Sequence, residues 1–219
     1  MSARFNPILF DLDGTLVDSG ADIARAVNVT FAELGLPALE EGEITRQVGD
    51  GVRKLVVRCL DLAGAGLDVD ETIQRFRRHY RRHAVDLTRP YPGVVELLGR
   101  LPAEHLAVVT NKPGDFARQV LEGLDLLRFF SVVIGGDETE RPKPDPQPLR
   151  EACRRLGAKP TGGIMIGDYE NDVAAGRAAG MSTCGVLWGF AGNESVRRAG
   201  PDHLCADVAA LQELLLAGN

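Results

Sequence analysis

Short apolar runs that each end in a polar cluster limit what this chain can fold into. Pro7-Ile8-Leu9-Phe10 runs into Asp11-Leu12-Asp13-Gly14-Thr15, Leu106–Val109 into Thr110-Asn111-Lys112, and Gly163-Ile164-Met165-Ile166 into Gly167-Asp168. Apolar runs of this length bounded by turn formers predict buried strands. Further strands are predicted over Val132–Ile134 and residues 183–187, and helices over residues 94–101, 116–124, 148–156, 172–179 and Val208–Leu216. Strands alternating with helices predict an α/β fold on a parallel, doubly wound sheet. Right-handed crossovers then gather the strands' carboxyl ends on one edge, where ligands bind.

The first half breaks that rhythm. Ile23, Val27, Phe31 and Leu34 recur at helical spacing until Gly35 and Pro37 end the segment. More helices are predicted over residues 43–48, 52–63 and 69–87, and no strand between Val17 and Arg89. The chain has 219 residues, long for one small domain and short for two large ones. It is therefore read as a core of residues 1–17 and 90–219 interrupted by a helical insertion, residues 18–89. Residues 17–20 and 88–93 are the candidate hinges.

The formal charge of −6 argues against a nucleic-acid partner, because a negative envelope repels phosphate backbones. No run approaches the roughly 20 apolar residues of a membrane span, and Asp11 and Asp13 interrupt the only N-terminal apolar stretch. Cys59, Cys153, Cys184 and Cys205 form no C-x-x-C pair and suit neither a zinc site nor a disulfide framework. Free thiols in a reducing compartment are expected, and with them a soluble, cytoplasmic protein. Without a long heptad pattern, monomer and dimer both stay open.

The polar clusters define the chemistry. Asp11 and Asp13 are two apart, so in extended backbone both carboxylates face one site, where only a cation or a shared proton relieves their repulsion. Such a pair suits phosphoryl transfer: Asp11 attacks phosphorus as a nucleophile, and Asp13 gives a proton to the leaving oxygen and later takes one from water. Gly14 permits the turn and Thr15 is placed to cap or to hold phosphoryl oxygens. Thr110, Asn111 and Lys112 follow the second strand, where a hydroxyl and backbone N–H groups bind phosphate oxygens. Lys143 sits in Arg141-Pro142-Lys143-Pro144-Asp145-Pro146, a loop stiffened by proline, and is suited to neutralise both the nucleophile and the phosphoryl group. Asp168 and Asp172 are four apart at a predicted helix start. With Asp11 and the backbone carbonyl of Asp13 they make an all-oxygen site of the kind magnesium prefers. Singly, each cluster has a plainer explanation, such as a turn, a solvated lysine or a helix cap; four in order, each at a strand end, do not.

In this order the motifs resemble those of the haloacid dehalogenase-like superfamily of phosphohydrolases, and the resemblance covers nearly the whole chain. It implies a Rossmann-like core, a helical cap inserted after the first motif, a magnesium cofactor and a phosphoaspartate intermediate. Val109-Thr110-Asn111-Lys112-Pro113, the Lys143 loop and Tyr91-Pro92-Gly93-Val94 are similar to motifs of bacterial phosphoglycolate phosphatases, which implies 2-phosphoglycolate, a small-molecule phosphate ester, as substrate. Gly49 and Gly51, in Val48-Gly49-Asp50-Gly51-Val52, resemble the cap loop that closes over substrate; a simple helix–helix turn is the alternative. Tyr169 departs from the family, which carries a small hydroxyl residue there. Arg75, Arg77, Arg78, Arg81 and Arg82 read as the solvated face of an amphipathic helix. The four histidines show no ligand spacing, and Trp188 is read as a packing residue or one near the site entrance. A related sugar-phosphate phosphatase, a phosphomutase and a phospho-receiver module remain the alternatives.

Overall fold

In the computed structural model, which describes residues 4–216, β1 (Ile8–Phe10), β4 (Leu106–Val109), β5 (Val132–Ile134), β6 (Ile164–Gly167), β7 (Ser182–Val186) and β8 (His203–Cys205) form one sheet. Its order is β5-β4-β1-β6-β7-β8 and every pairing is parallel. This is the doubly wound, Rossmann-like arrangement. β1 is central because both faces of Ile8, Leu9 and Phe10 are buried, all at 0% exposure, as a strand covered on both sides requires. Its neighbours register Leu9 against Ala107 and Met165.

Side chains alternate across the sheet. Leu9, Ala107, Val109 and Met165 meet Leu149, Ala152 and Ala175 of α7 (Gln147–Leu156) and α8 (Glu170–Ala179). Ile8, Phe10, Leu106 and Val108 join Leu97, Phe116, Val120 and Leu211 of α5 (Val94–Leu98), α6 (Gly114–Gly123) and α10 (Val208–Leu216). From β1 the strands step outward through β4 and β5, then return to the other side of β1 through β6. The carboxyl end of β1 is thus the switch point of the sheet, where a crevice opens.

Between β1 and α5 the chain forms α1 (Gly20–Glu33), α2 (Glu41–Thr45), α3 (Val52–Leu62) and α4 (Val69–His83). Two-residue strands β2 (Val17–Asp18) and β3 (Arg89–Pro90) pair antiparallel where the helical segment leaves and rejoins the sheet. They fall in the expected hinges but were not predicted as strands, because two residues carry no periodicity. Asp22, 1% exposed, secures the same place: its carboxylate accepts from the N–H groups of Leu87 and Thr88 and from Thr88 Oγ1. That capture ends α4 at His83 rather than near residue 87. α9 (Asn193–Ala199) and β8 were also not predicted. None of the described helices is long and apolar enough to cross a bilayer, and all four cysteines are free and buried.

Candidate active site

Asp11 follows β1 directly, and its backbone N–H donates to the carbonyl of Ile166 in β6, so the ends of the two central strands are tied together. Gly14, at φ +79°, turns the chain back at once; a Cβ there meets the Asp168 carboxylate. Gly167 and Gly189 abut Asp172 and Asp168 in the same way. Three glycines therefore let backbone close around the carboxylates. Oxygens of Asp11, Asp168 and Asp172 all lie within 4.8 Å of one another.

Lys143 enters this cluster from the proline-bracketed loop. Its Nζ lies 2.6 Å from Asp172 Oδ1, 2.7 Å from the Val109 carbonyl and 3.1 Å from Asp11 Oδ1, the last outside hydrogen-bond geometry. Burial opposes the ammonium charge, yet Asp11 and Asp172 hold it above the usual lysine range. Three carboxylates against one ammonium leave an excess of two negative charges. The consequence is a carboxyl on Asp168 pushed up to about 8, by burial first and then by Asp11 and Asp172. Asp172 is raised by burial to about 7 despite Lys143. The donor set is oxygen only, its excess charge matches a divalent cation, and Asp11 Oδ1 is buried without a hydrogen bond, with the Lys143 ammonium 3.1 Å away: it fits magnesium.

The remaining expected residues fall around this cluster with distinct partners. Asp13 does not add its carboxylate to the three; both its oxygens accept from Lys112 Nζ at 2.9 Å, and Oδ1 also accepts from Ser19 Oγ. Thr15 Oγ1 donates to Asp168 Oδ1. Asn111 forms a two-way bond with the Lys143 backbone and also donates to the Gly49 carbonyl, so it orients the lysine loop and ties in the helical segment. Asp11, Asp13, Thr110, Asn111, Lys112, Gly49 and Gly51 line one pocket between sheet and helices. Ile23, Val52, Leu55, Phe76, Tyr80 and Phe116 form much of its wall.

Sequence reasoning missed several supports. Phe190 N–H donates to Asp168 Oδ2 at 2.7 Å, and Trp188 Nε1 donates to the Thr15 carbonyl. The signal was there: Trp188-Gly189-Phe190 directly follows a predicted strand and so reaches the same edge. Asn171 donates to Asp50 Oδ1, while Arg58 and Lys54 pair with the same carboxylate. Against its burial, Asn171 and Arg58 hold Asp50 below the usual carboxylate range. The arginine cluster is only partly solvated: Arg77 and Arg81 pair with Asp115 at the start of α6 and lie over the Phe116 ring.

Known proteins similar to this chain identify its family. The family model for haloacid dehalogenase-like hydrolases matches residues 8–186. The chain is 41% identical to a plasmid-encoded phosphoglycolate phosphatase of Cupriavidus necator over 95% of this chain and 92% of that protein. It is 37% identical to a phosphoglycolate phosphatase of Haemophilus influenzae over 98% and 100%. The crystal structure of a predicted phosphoglycolate phosphatase from Haemophilus somnus superposes with a TM-score of 0.90 at 31% identity, covering 96% of this chain and 98% of that one. With the family model matched over most of the chain and relatives more than 30% identical over nearly their whole length, the chain belongs to the haloacid dehalogenase-like hydrolases, among their phosphatases.

Proposed function

We propose that this enzyme is a magnesium-dependent phosphomonoesterase that works through an aspartyl-phosphate on Asp11, with 2-phosphoglycolate as its leading substrate. One observation carries the reading: three buried carboxylates and Lys143 converge where β1 and β6 end, with one Asp11 oxygen free of hydrogen bonds. The names of the Cupriavidus and Haemophilus relatives support the substrate. Asp11, Asp168, Asp172 and the Asp13 carbonyl are the groups to hold magnesium, which supplies charge neutralisation and polarises phosphoryl oxygens.

Asp11 attacks phosphorus, forming an O–P bond as the ester P–O bond breaks. Asp13, entering this step protonated, delivers that proton to the departing oxygen. Asp13 then takes a proton from water as that water's oxygen attacks phosphorus and the Asp11–P bond breaks, releasing phosphate. Lys143 balances the charge of the nucleophile, and Thr110 with nearby backbone N–H groups steadies the phosphoryl oxygens. Residues 18–89 act as the cap: Gly49 and Gly51 bring backbone over the ester and exclude bulk water.

The test is phosphate release from 2-phosphoglycolate, hexose phosphates, amino-sugar phosphates and nucleotides, with magnesium and with chelator. Magnesium-dependent preference for 2-phosphoglycolate is expected; preference for another ester reassigns the substrate. Asp11→Asn is expected to lower kcat at least about 10³-fold, and a variant turning over at the wild-type rate removes the nucleophile assignment.

A further inference from the structure

The cavity above Asp11 holds one cation among its described lining residues, Lys112. Lys112 is 8% exposed, and its Nζ donates to both carboxylate oxygens of Asp13. Its Nζ also lies 4.7 Å from the centre of the Tyr80 ring, which α4 brings down from the helical segment. Tyr80 is 1% exposed, lines the same cavity, and its hydroxyl is buried without a hydrogen-bond partner. Burial pushes that phenol up to about 12, so it keeps its proton. A buried donor left unpaired is unfavourable by itself and calls for an acceptor. Around this pair the wall is apolar, formed by Leu55, Phe76 and Phe116. Such a wall leaves the hydroxyls of a sugar unpaired. The Lys112 ammonium, beyond its bonds to Asp13, and the neutral Tyr80 O–H can together donate to one further anionic acceptor.

We infer that Lys112 and Tyr80 form a subsite for a carboxylate on the leaving group, selecting short phosphorylated hydroxy acids over sugar phosphates. The inference rests on the phosphomonoesterase reading above and names the side chains that recognise the substrate's second charge. Substrate binding shares Lys112 between Asp13 and the incoming carboxylate, and gives the Tyr80 hydroxyl its acceptor. Tyr80 comes from the helical segment and Lys112 from the core, so the subsite is complete only when the two meet.

The experiment measures kcat/KM for two pairs matched except for the carboxylate: 2-phosphoglycolate against 2-hydroxyethyl phosphate, and 3-phosphoglycerate against glycerol 3-phosphate. Wild type is expected to favour the carboxylate in at least one pair. Tyr80→Phe is expected to fold, since the lost hydroxyl makes no hydrogen bond, and to cut that preference about tenfold, chiefly through KM. Lys112→Gln is expected to cut it further. Preference for 3-phosphoglycerate alone overturns 2-phosphoglycolate as substrate but supports the subsite. Wild-type indifference to the carboxylate in both pairs, or an unchanged preference in Tyr80→Phe, overturns the subsite while leaving the phosphatase reading in place.

Discussion

Lys143 holds together charges that otherwise repel. Its side chain is 1% exposed and it touches Asp172 and Asp11, themselves 2% and 9% exposed at the side chain. Removing one partner from a buried ion pair leaves charge uncompensated, typically by about 3–5 kcal/mol. Lys143→Met is therefore expected to lose about that much stability in urea unfolding with chelator present. Magnesium is expected to recover part of the loss, because it supplies positive charge to the same carboxylates. Turnover is expected to fall about 10²–10³-fold even with magnesium. A variant with wild-type stability in chelator contradicts the role of Lys143 as counter-charge.

At the level of elements, one contact between the helical segment and the core is made at the loop between α2 and α3. Gly49 has φ +124°, and a Cβ there lies 3.0 Å from the Tyr169 ring; Gly51 has φ +86° and faces the Asn111 carbonyl at 3.1 Å. Tyr169 is thus a platform on which the loop sits, beside the Asp50–Asn171 bond. Gly49→Ala introduces both a clash and backbone strain of about 1–3 kcal/mol. It is expected to lower kcat/KM about tenfold and to lower Tm by roughly 2–4 °C for each kcal/mol of that strain. Adding Tyr169→Ser relieves the clash and not the strain, so the double variant is expected to recover only part of the loss. Strictly additive effects in this cycle mean that the two residues do not act through their contact.

For the molecule as a whole, the carboxylate cluster sets an unusual pH dependence. Asp168, held up to about 8 in the folded chain, keeps a proton that the unfolded chain loses near about 3.9. The folded state therefore binds more protons between about pH 4 and 8. In chelator, stability is expected to fall as pH rises through that window and to level off above it. Asp50 and Asp202, whose carboxyls are lowered, act in the opposite sense but below about pH 4. A divalent cation binds only the ionised carboxylates, so magnesium is expected to raise Tm more at pH 8 than at pH 5. Melting curves at both pH values, with and without chelator, check this. A Tm that climbs from pH 5 to 8 in chelator contradicts the electrostatics described.

Much of this protein was legible in one dimension because the physics there is local. Period and run length marked β1, β4, β5, β6 and β7, and polar residues just past a buried strand have only the crevice to occupy. That alone placed Asp11, Thr110 and Asp168 near one another, with Asp172 one helical turn beyond Asp168; Lys143, nine residues past the end of β5, is brought in by its loop. The two-residue strands β2 and β3 carry no period, while the half-exposed edge strand β8 and the helix α9, with Val196 its one buried residue, lack an apolar run to mark them. Partnership across long separations was decided by tertiary structure alone. Asn111 holding Gly49 and the Lys143 loop, Asp13 paired with Lys112, Asp22 gripping Thr88, and Tyr80 meeting Lys112 each join residues dozens of positions apart. A side chain's charge and shape are written in the sequence, but which buried group it must satisfy depends on the packing that brings the two together.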